Sequence, residues 1–241
     1  MRAGRVSVNG KSSRDPERPV IEKQERIAVD GELVQEREKI YLIMNKPRGV
    51  VTTAADEKGR PTVYTVLRQG LLNQTLSSKG QVGEEAGQGS DLAWIAPVGR
   101  LDQASEGLLL MTNDSEWGAR ITAPETHLEK TYHVQIGTIG DDKLAQALMS
   151  GVTTRAGEAM RAKRASQLRA GQKNCWLEIV LDEGKNRQIR SMMETLGVKV
   201  LRLVRVAIGP QQLGDLAKGA HRALTPNEKR RLDVVMRGKT R

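Results

Sequence analysis

Two short runs of alternating apolar and polar residues, Arg5–Val8 and Arg26–Val29, each end in a turn pair, Asn9-Gly10 and Asp30-Gly31. That combination marks tight hairpins, so the first stretch reads as a small β unit, followed by the charged connector QEREK (35–39). IYLIMNKPRGVVTT (40–53) predicts a strand, a Pro-Arg-Gly turn and a second strand; PTVYTVLRQGLL (61–72) has helical spacing. The polar, Gly/Gln/Ser-rich residues 73–91 read as a flexible loop. In PVGRLDQASEGLLLMTND (97–114) a Pro-Gly turn leads into the apolar run Leu108–Met111, a buried strand that stops at Asn113-Asp114. SEWGARIT (115–122) predicts a short helix capped by Asp114, EKTYHVQIG (129–137) a strand and DDKLAQALMSG (141–151) a helix. MRAKRASQLR (160–169) and CWLEIVLDEG (175–184) are further strands. NRQIRSMMETLG (186–197) sets Ile189, Met192, Met193 and Leu196 at helical spacing, and VKVLRLVRVAIGP (198–210) alternates basic and apolar residues as a half-buried strand would. TPNEKRRLDVVM (225–236) opens with a capping box, Thr225 at the cap and Glu228 three residues on. Strands and helices intermix without a βαβ repeat, which predicts a mixed α/β (α+β) fold with a largely antiparallel sheet.

Charge changes the picture. The 241 residues carry a net charge of +10, which favours an anionic partner, nucleic acid before membrane, because Lys and Arg displace counterions condensed on phosphates. With three Trp, three Tyr and no Phe, the chain hardly supplies a stacking platform for single strands. Charge, shape and one pocket are left to do the binding. The single Cys175 sits in an apolar run and reads as a buried, inert thiol; it excludes an internal disulfide and fits a reducing cytoplasm. His127, His133 and His221 lack metal-ligand spacing, and no apolar stretch approaches membrane-span length.

Two constellations carry chemistry. Arg100 and Asp102, two apart in an extended segment, share a side; the arginine can keep the carboxylate ionised or reach a phosphate. In EGKNRQIR (183–190), a helix starting near Asn186 would set its N-terminal amides beside Lys185, Arg187 and Arg190, an arrangement that suits an anion. Arg190 follows Ile189 where the apolar stripe begins; turned inward it needs a carboxylate, for which Asp102 is a candidate. An aspartate paired to arginine on a basic surface suggests chemistry at a glycosidic carbon. Glu106, the nearest second carboxylate that a hydrolase would want, reads as a surface residue. The residues alone reach an acid-centred site on an RNA- or DNA-binding enzyme and no further; a DNA or RNA N-glycosylase also fits a carboxylate on a basic surface.

YLIMNKPRGVVTT, PVGRLDQASEGLLLMTND, EKTYHVQI, DEGKNRQIRSMMETLG and VLRLVRVAIGP followed by LAKGAHRALTPNE occur in the order found in the RsuA-type ribosomal RNA pseudouridine synthases, and together they resemble that family over about residues 40–232. The resemblance implies a pseudouridine synthase fold at 40–241, with flanking helices and a catalytic cleft between two subdomains. It implies Asp102 as the catalytic aspartate that breaks the uridine C1′–N1 bond before uracil reattaches through C5. Arg100 would fill the space left by the flipped-out uridine, Tyr132 would pack on the base, Ile189 would wall the pocket and Arg190 would pair with Asp102. Lys185 and Arg187 would contact the RNA. The implied partner is ribosomal RNA, with the large subunit favoured over the small; no cofactor, no metal and no membrane is implied, and a cytoplasmic monomer is expected. Family members usually begin with an S4-type RNA-binding domain whose helices precede a segment like GRVSVNG, so residues 1–37 are expected to be a truncated S4-like segment. The loop at 73–91 is longer than the family's usual connection. A ribosome-assembly factor that keeps the fold without the reaction is the second implied reading.

Overall fold

A computed structural model describes residues 1–21, 24–34, 38–54, 56–78, 95–140 and 142–237, with the backbone alone at 71–78. The chain divides into two compact units, Met1–Lys39 and Ile40–Arg241. In the first, β1 (Val6–Val8), β2 (Lys11–Ser13), β3 (Ile27–Val29) and β4 (Glu32–Leu33) pair in the order β2-β1-β3-β4, all antiparallel. The hairpins close as the turn pairs predict: Asn9 and Asp30 sit at φ 51° and 54°, Gly10 and Gly31 at 78° and 87°. Two successive left-handed residues define the hairpin turn whose twist matches the strands.

The second unit is built on one mixed sheet. Its strands are β5 (Tyr41–Lys46), β6 (Ala96–Val98), β7 (Glu106–Thr112), β8 (Lys130–Ile136), β11 (Arg164–Ala170), β12 (Cys175–Leu181), β13 (Val200–Ile208), β14 (Gln211–Gln212) and β15 (His221–Ala223); β9 (Val152–Thr153) and β10 (Ala159–Met160) form a separate pair. The order is β11-β12-β8-β13-β7-β5-β15, with β6 also on β7 and β14 also on β13. Only the β13–β7 pair is parallel among the described strands. The sequence reading of a largely antiparallel sheet therefore holds, and the parallel pair is the seam between two halves.

Each half has its own apolar layer. On one side Val134, Ile136, Leu177, Ile179 and Leu203 pack against α3 (Asp142–Ser150) and α4 (Gln188–Thr195). On the other, β5 and β7 are covered on both faces. Leu108 and Leu110 meet Trp117 and Ile121 of α2 (Ser115–Thr122) and Leu232 of α5 (Pro226–Arg237), while Leu109 and Met111 meet Val63 and Leu67 of α1 (Val63–Ser78). A strand covered on both faces reads as an unbroken apolar run, which explains Leu108-Leu109-Leu110-Met111, each wholly buried. Cys175 is buried too, its Sγ accepting from the Gly140 amide at 3.1 Å.

Several expectations need correcting. The helix read over 61–72 continues through Ser78, so residues 73–78, read as loop, are helical; 79–91 lie outside the described residues. After the Pro-Arg-Gly turn no second strand forms among the described residues, only an isolated bridge between Val51 and Thr62. VLRLVRVAI forms the half-buried strand that its alternation predicts, and it is central in the sheet, between β8 and β7. No described helix is long and apolar enough to cross a membrane.

The capping signals hold in detail. Asp114 Oδ1 accepts from the Trp117 amide at 3.1 Å. At α5, the Glu228 amide donates to Thr225 Oγ1 (3.2 Å) and the Thr225 amide to Glu228 Oε2 (2.8 Å). Glu228 also takes two hydrogen bonds from Arg222, at 2.7 and 2.8 Å. The Arg222 bonds, outweighing burial, hold its carboxyl pKa down at about 2 against an ordinary 4.5. A depressed carboxylate pKa contributes stability that is present above the unfolded value and lost as pH falls through the folded one. Wild type should therefore exceed Glu228→Gln by about 1–2 kcal/mol at pH 6, less than the full shift because Arg222 is half exposed and water screens the pair, and urea unfolding should show the gap shrinking steadily from pH 5 toward pH 3.

Candidate active site

Asp102 lies in the loop between β6 and β7 that leads into the seam. Every backbone carbonyl from 101 to 105 in that loop is tied down. Thr52 Oγ1 donates to Leu101 O (2.8 Å) and the Gly49 amide to Gln103 O (2.8 Å). The Ser105 amide donates to Asp102 O (3.0 Å), and Arg190 Nη2 to Ala104 O (3.0 Å). From beneath, Lys46 Nζ donates to Asp102 O (3.1 Å), Ser105 O (2.8 Å) and Pro47 O (3.1 Å). Lys46 is wholly buried. Desolvation pulls its pKa down to about 8, against the supporting charges of Asp102 and Glu106. The segment 46–52 is thus a brace for the Asp102 backbone, and this is what KPRGVVT does. The sequence reading took this segment as a strand, a turn and a motif of the resemblance, and gave none of its residues a role; the signal was a lysine ending an apolar strand.

Gly107 makes the seam possible. It adopts φ +107°, and a Cβ there would sit 2.3 Å from the Arg205 carbonyl oxygen. Only glycine lets β7 approach β13 so closely while holding a left-sided backbone.

Over the seam opens a cleft of about 570 Å³. Arg100, Asp102, Tyr132, Lys185, Arg187 and Ile189 all line it, brought together from the β6–β7 loop, β8 and the segment entering α4. Arg190 does not line it and instead acts on the loop backbone. Asp102 is three-quarters buried; Arg187 Nη1 lies 3.8 Å from its Oδ2. The expected Asp102–Arg190 ion pair is accordingly replaced. Arg187 is the close cation, and Arg190 feels Asp102 only as a supporting charge while desolvation and Arg187 push its pKa down. The cause is local backbone: α4 starts at Gln188, not Asn186, and Arg187 precedes it at φ 50°. That rare left-handed conformation for a non-glycine residue turns the chain at the rim of the cleft. Lys185 Nζ donates to Ala159 O (2.7 Å) and lies 3.4 Å from Glu183.

Arg100 is exposed and makes no hydrogen bond or ion pair among the described residues. Tyr132 is half-buried, packs against both apolar layers through its ring, and its hydroxyl has no partner among the described residues. Glu106, read as a surface residue, is buried: its carboxylate meets Arg202 Nε at 2.9 Å and Lys218 Nζ at 2.8 Å. Burial raises its pKa, but the two cations outweigh burial and hold it below the ordinary value. Its partners lie some hundred residues away in sequence, so no local pattern announces them. Glu106 does not line the cleft; the second carboxylate there is Glu183, which accepts from Gln188 Nε2 and faces Lys185.

The cleft lining carries five cationic side chains, Arg100, Lys130, Lys185, Arg187 and Arg205, against Asp102 and Glu183. Such a site draws in a polyanion and presents one aspartate on a rigid backbone to it.

Residues 40–195 match the family described as RNA pseudouridylate synthase. The chain is 31% identical over 236 residues to the ribosomal large subunit pseudouridine synthase B of Bacillus subtilis (strain 168), covering 98% of this chain and 88% of that one. It is 36% identical over 213 residues to the protein of the same name from Yersinia pestis, covering 86% of this chain and 60% of that one. A solved structure titled "Crystal structure of pseudouridylate synthase" superposes with a TM-score of 0.65 at 28% identity, over 96% of this chain and 90% of that one.

Proposed function

The chain belongs to the RNA pseudouridylate synthase family, and we propose that it isomerises a uridine of large-subunit ribosomal RNA to pseudouridine with Asp102 as the catalytic group and without a cofactor. The observation that carries this is the Asp102 loop, with all five of its carbonyls from 101 to 105 engaged, set at the wall of a cationic cleft. Such bracing suits a carboxylate that must meet one carbon of a flipped nucleotide, since misplacement by an ångström costs orders of magnitude in rate.

In this reading the Asp102 carboxylate acts at the ribose as the C1′–N1 bond breaks, with the Arg187 guanidinium 3.8 Å from it. Tyr132 packs on the uracil and Ile189 walls the pocket. Arg100, exposed at the mouth, enters the vacated place in the RNA. Lys185 and Arg187 meet phosphates, and Arg190 holds the catalytic loop through Ala104 O. The names of the relatives support the large subunit. A monomer acting in the cytoplasm completes the proposal.

Residues 1–37 are read as a truncated S4-like RNA-binding segment, and the charge of the unit that holds it, residues 1–39, limits its share. Residues 1–39 carry 9 Lys and Arg against 8 Asp and Glu, whereas residues 40–241 carry 30 against 21. With 30 of the 39 Lys and Arg, the catalytic unit supplies the larger share of the salt-dependent RNA affinity.

Mapping pseudouridine by carbodiimide-primed sequencing tests the reading in cells with and without the gene. One large-subunit site should vanish on deletion and return with the wild-type gene. A full set of pseudouridines in the deletion strain would overturn it and favour an RNA-binding factor.

A further inference from the structure

Arg205 sits in the cleft without a part in the chemistry assigned to the other residues there. It lies on β13 at the seam, opposite Tyr132 of β8 and Gly107 of β7. It lines the cleft but is only 5% exposed. Its Nε donates to Leu108 O at 2.8 Å, which fixes the plane of the guanidinium. Its Nη2 is buried with no hydrogen-bond partner, and no described carboxylate lies within ion-pair distance of the group. A second buried cation, Lys46, is close enough for Arg205 to help depress its pKa. Burying an unpaired guanidinium beside another positive charge is costly. The cost is offset when the missing acceptor arrives with the substrate, and the expected geometry of such a site is a fixed donor aimed at the place where negative charge develops.

Resting on the pseudouridine synthase reading, we propose that Arg205 is the uracil-binding residue: its guanidinium donates to a ring carbonyl oxygen and holds the charge that develops on the base. The C1′–N1 bond breaks with its electron pair passing to N1 and spreading over O2 and O4. C1′ is left electron-poor beside Asp102. The ring turns and its C5 supplies the pair for the new C1′–C5 bond; the C5 proton leaves and N1 takes one up, so atoms and charge balance. A guanidinium suits this task because its planar fork keeps a donor on the oxygen of a flat ring and stays charged throughout. Tyr132, its cross-strand neighbour, supplies the packing surface and Arg205 the polar contact. Arg205 touches the base, Asp102 the sugar.

The test uses the full chain, an RNA fragment carrying the uridine found by mapping, and single-turnover kinetics. Arg205→Lys keeps the charge and loses the fork; Arg205→Met loses both. Each should melt cooperatively, bind the RNA within about threefold of wild type, and form pseudouridine a hundredfold or more slowly, Met more slowly than Lys. Folded variants with near wild-type rates would overturn the assignment. A second arm needs no mutation at the seam: RNAs with 2-thiouridine or 4-thiouridine at the target weaken the acceptor. One of the two should slow the wild type at least tenfold; if both react like uridine, the assignment fails even where the Arg205 variants do not fold. If wild type itself forms no pseudouridine, it is the functional reading that has failed, which separates the two outcomes.

Discussion

Asp102→Asn should abolish pseudouridine formation while leaving the fold and RNA binding in place. The substitution removes one negative charge and keeps the shape. None of the hydrogen bonds that hold the loop uses the Asp102 side chain; they run to its backbone carbonyls, from the Leu101 amide and from the Gln103 side chain, so the asparagine would sit on the same frame. The ionic contact it gives up, 3.8 Å to an exposed Arg187, is worth under about 1 kcal/mol. If Asp102 is the reacting carboxylate as proposed, its loss should lower the single-turnover rate by about four orders of magnitude or more. RNA affinity should be unchanged or slightly tighter, since a negative charge has left a cationic cleft. The measurement is a pair: single-turnover pseudouridine yield and filter-binding affinity on the same preparation. A variant within tenfold of wild type would remove Asp102 from the chemistry.

The second large effect belongs to Lys46, which does not line the cleft. Lys46→Met keeps the length of the side chain and deletes the ammonium. Pro47 O and Ser105 O lose the Lys46 donor in a buried setting, while Asp102 O retains the Ser105 amide. Each buried group left without a partner costs about 1–3 kcal/mol, and relief of a desolvated charge returns part of that. The net loss should be about 3 kcal/mol, or roughly 10 °C in melting temperature for a unit of this size. Activity should fall a hundredfold or more at temperatures where the variant is still folded, because the Asp102 loop loses its brace. The pairing of the two losses distinguishes a brace from a mere core residue; full activity in a destabilised protein would contradict it.

What was legible in the sequence was whatever local chemistry decides. Two left-handed residues in a row demand Asn-Gly or Asp-Gly, and both hairpins are where those pairs stand. Asp114 and Thr225–Glu228 satisfy amides that have no other partner, so both helices start where the caps stand. Leu108–Met111 announces a strand covered on both faces. The misread features were set by distant contacts. Alternation in β13 announces a half-buried strand, which forms, but not that Arg205 is one of its buried residues; Gly107, a hundred residues earlier, lets β7 close over it. Glu106 is buried because Arg202 and Lys218 converge on it. Polar residues 73–78 resemble a loop but continue α1, whose hydrogen bonds have already been nucleated upstream. Of the site, the motif resemblance placed six of seven residues on one cleft; it misassigned the partner of Asp102, because a left-handed Arg187 has no sequence signature. Lys46 and Arg205 escaped notice since their meaning lies wholly in which carbonyls or empty space surround them.

The most direct test of pseudouridine formation is to incubate the purified full chain with large-subunit ribosomal RNA transcribed with [5-³H]uridine, and to count tritium in water and in free uracil separately. Isomerisation breaks the C5–H bond and keeps the base attached, so tritium should pass to water in proportion to enzyme turnovers, with none as uracil, and Asp102→Asn should release none. Tritiated free uracil would mean a glycosylase, and no release from any ribosomal RNA would mean a binding protein; either result would contradict the isomerase.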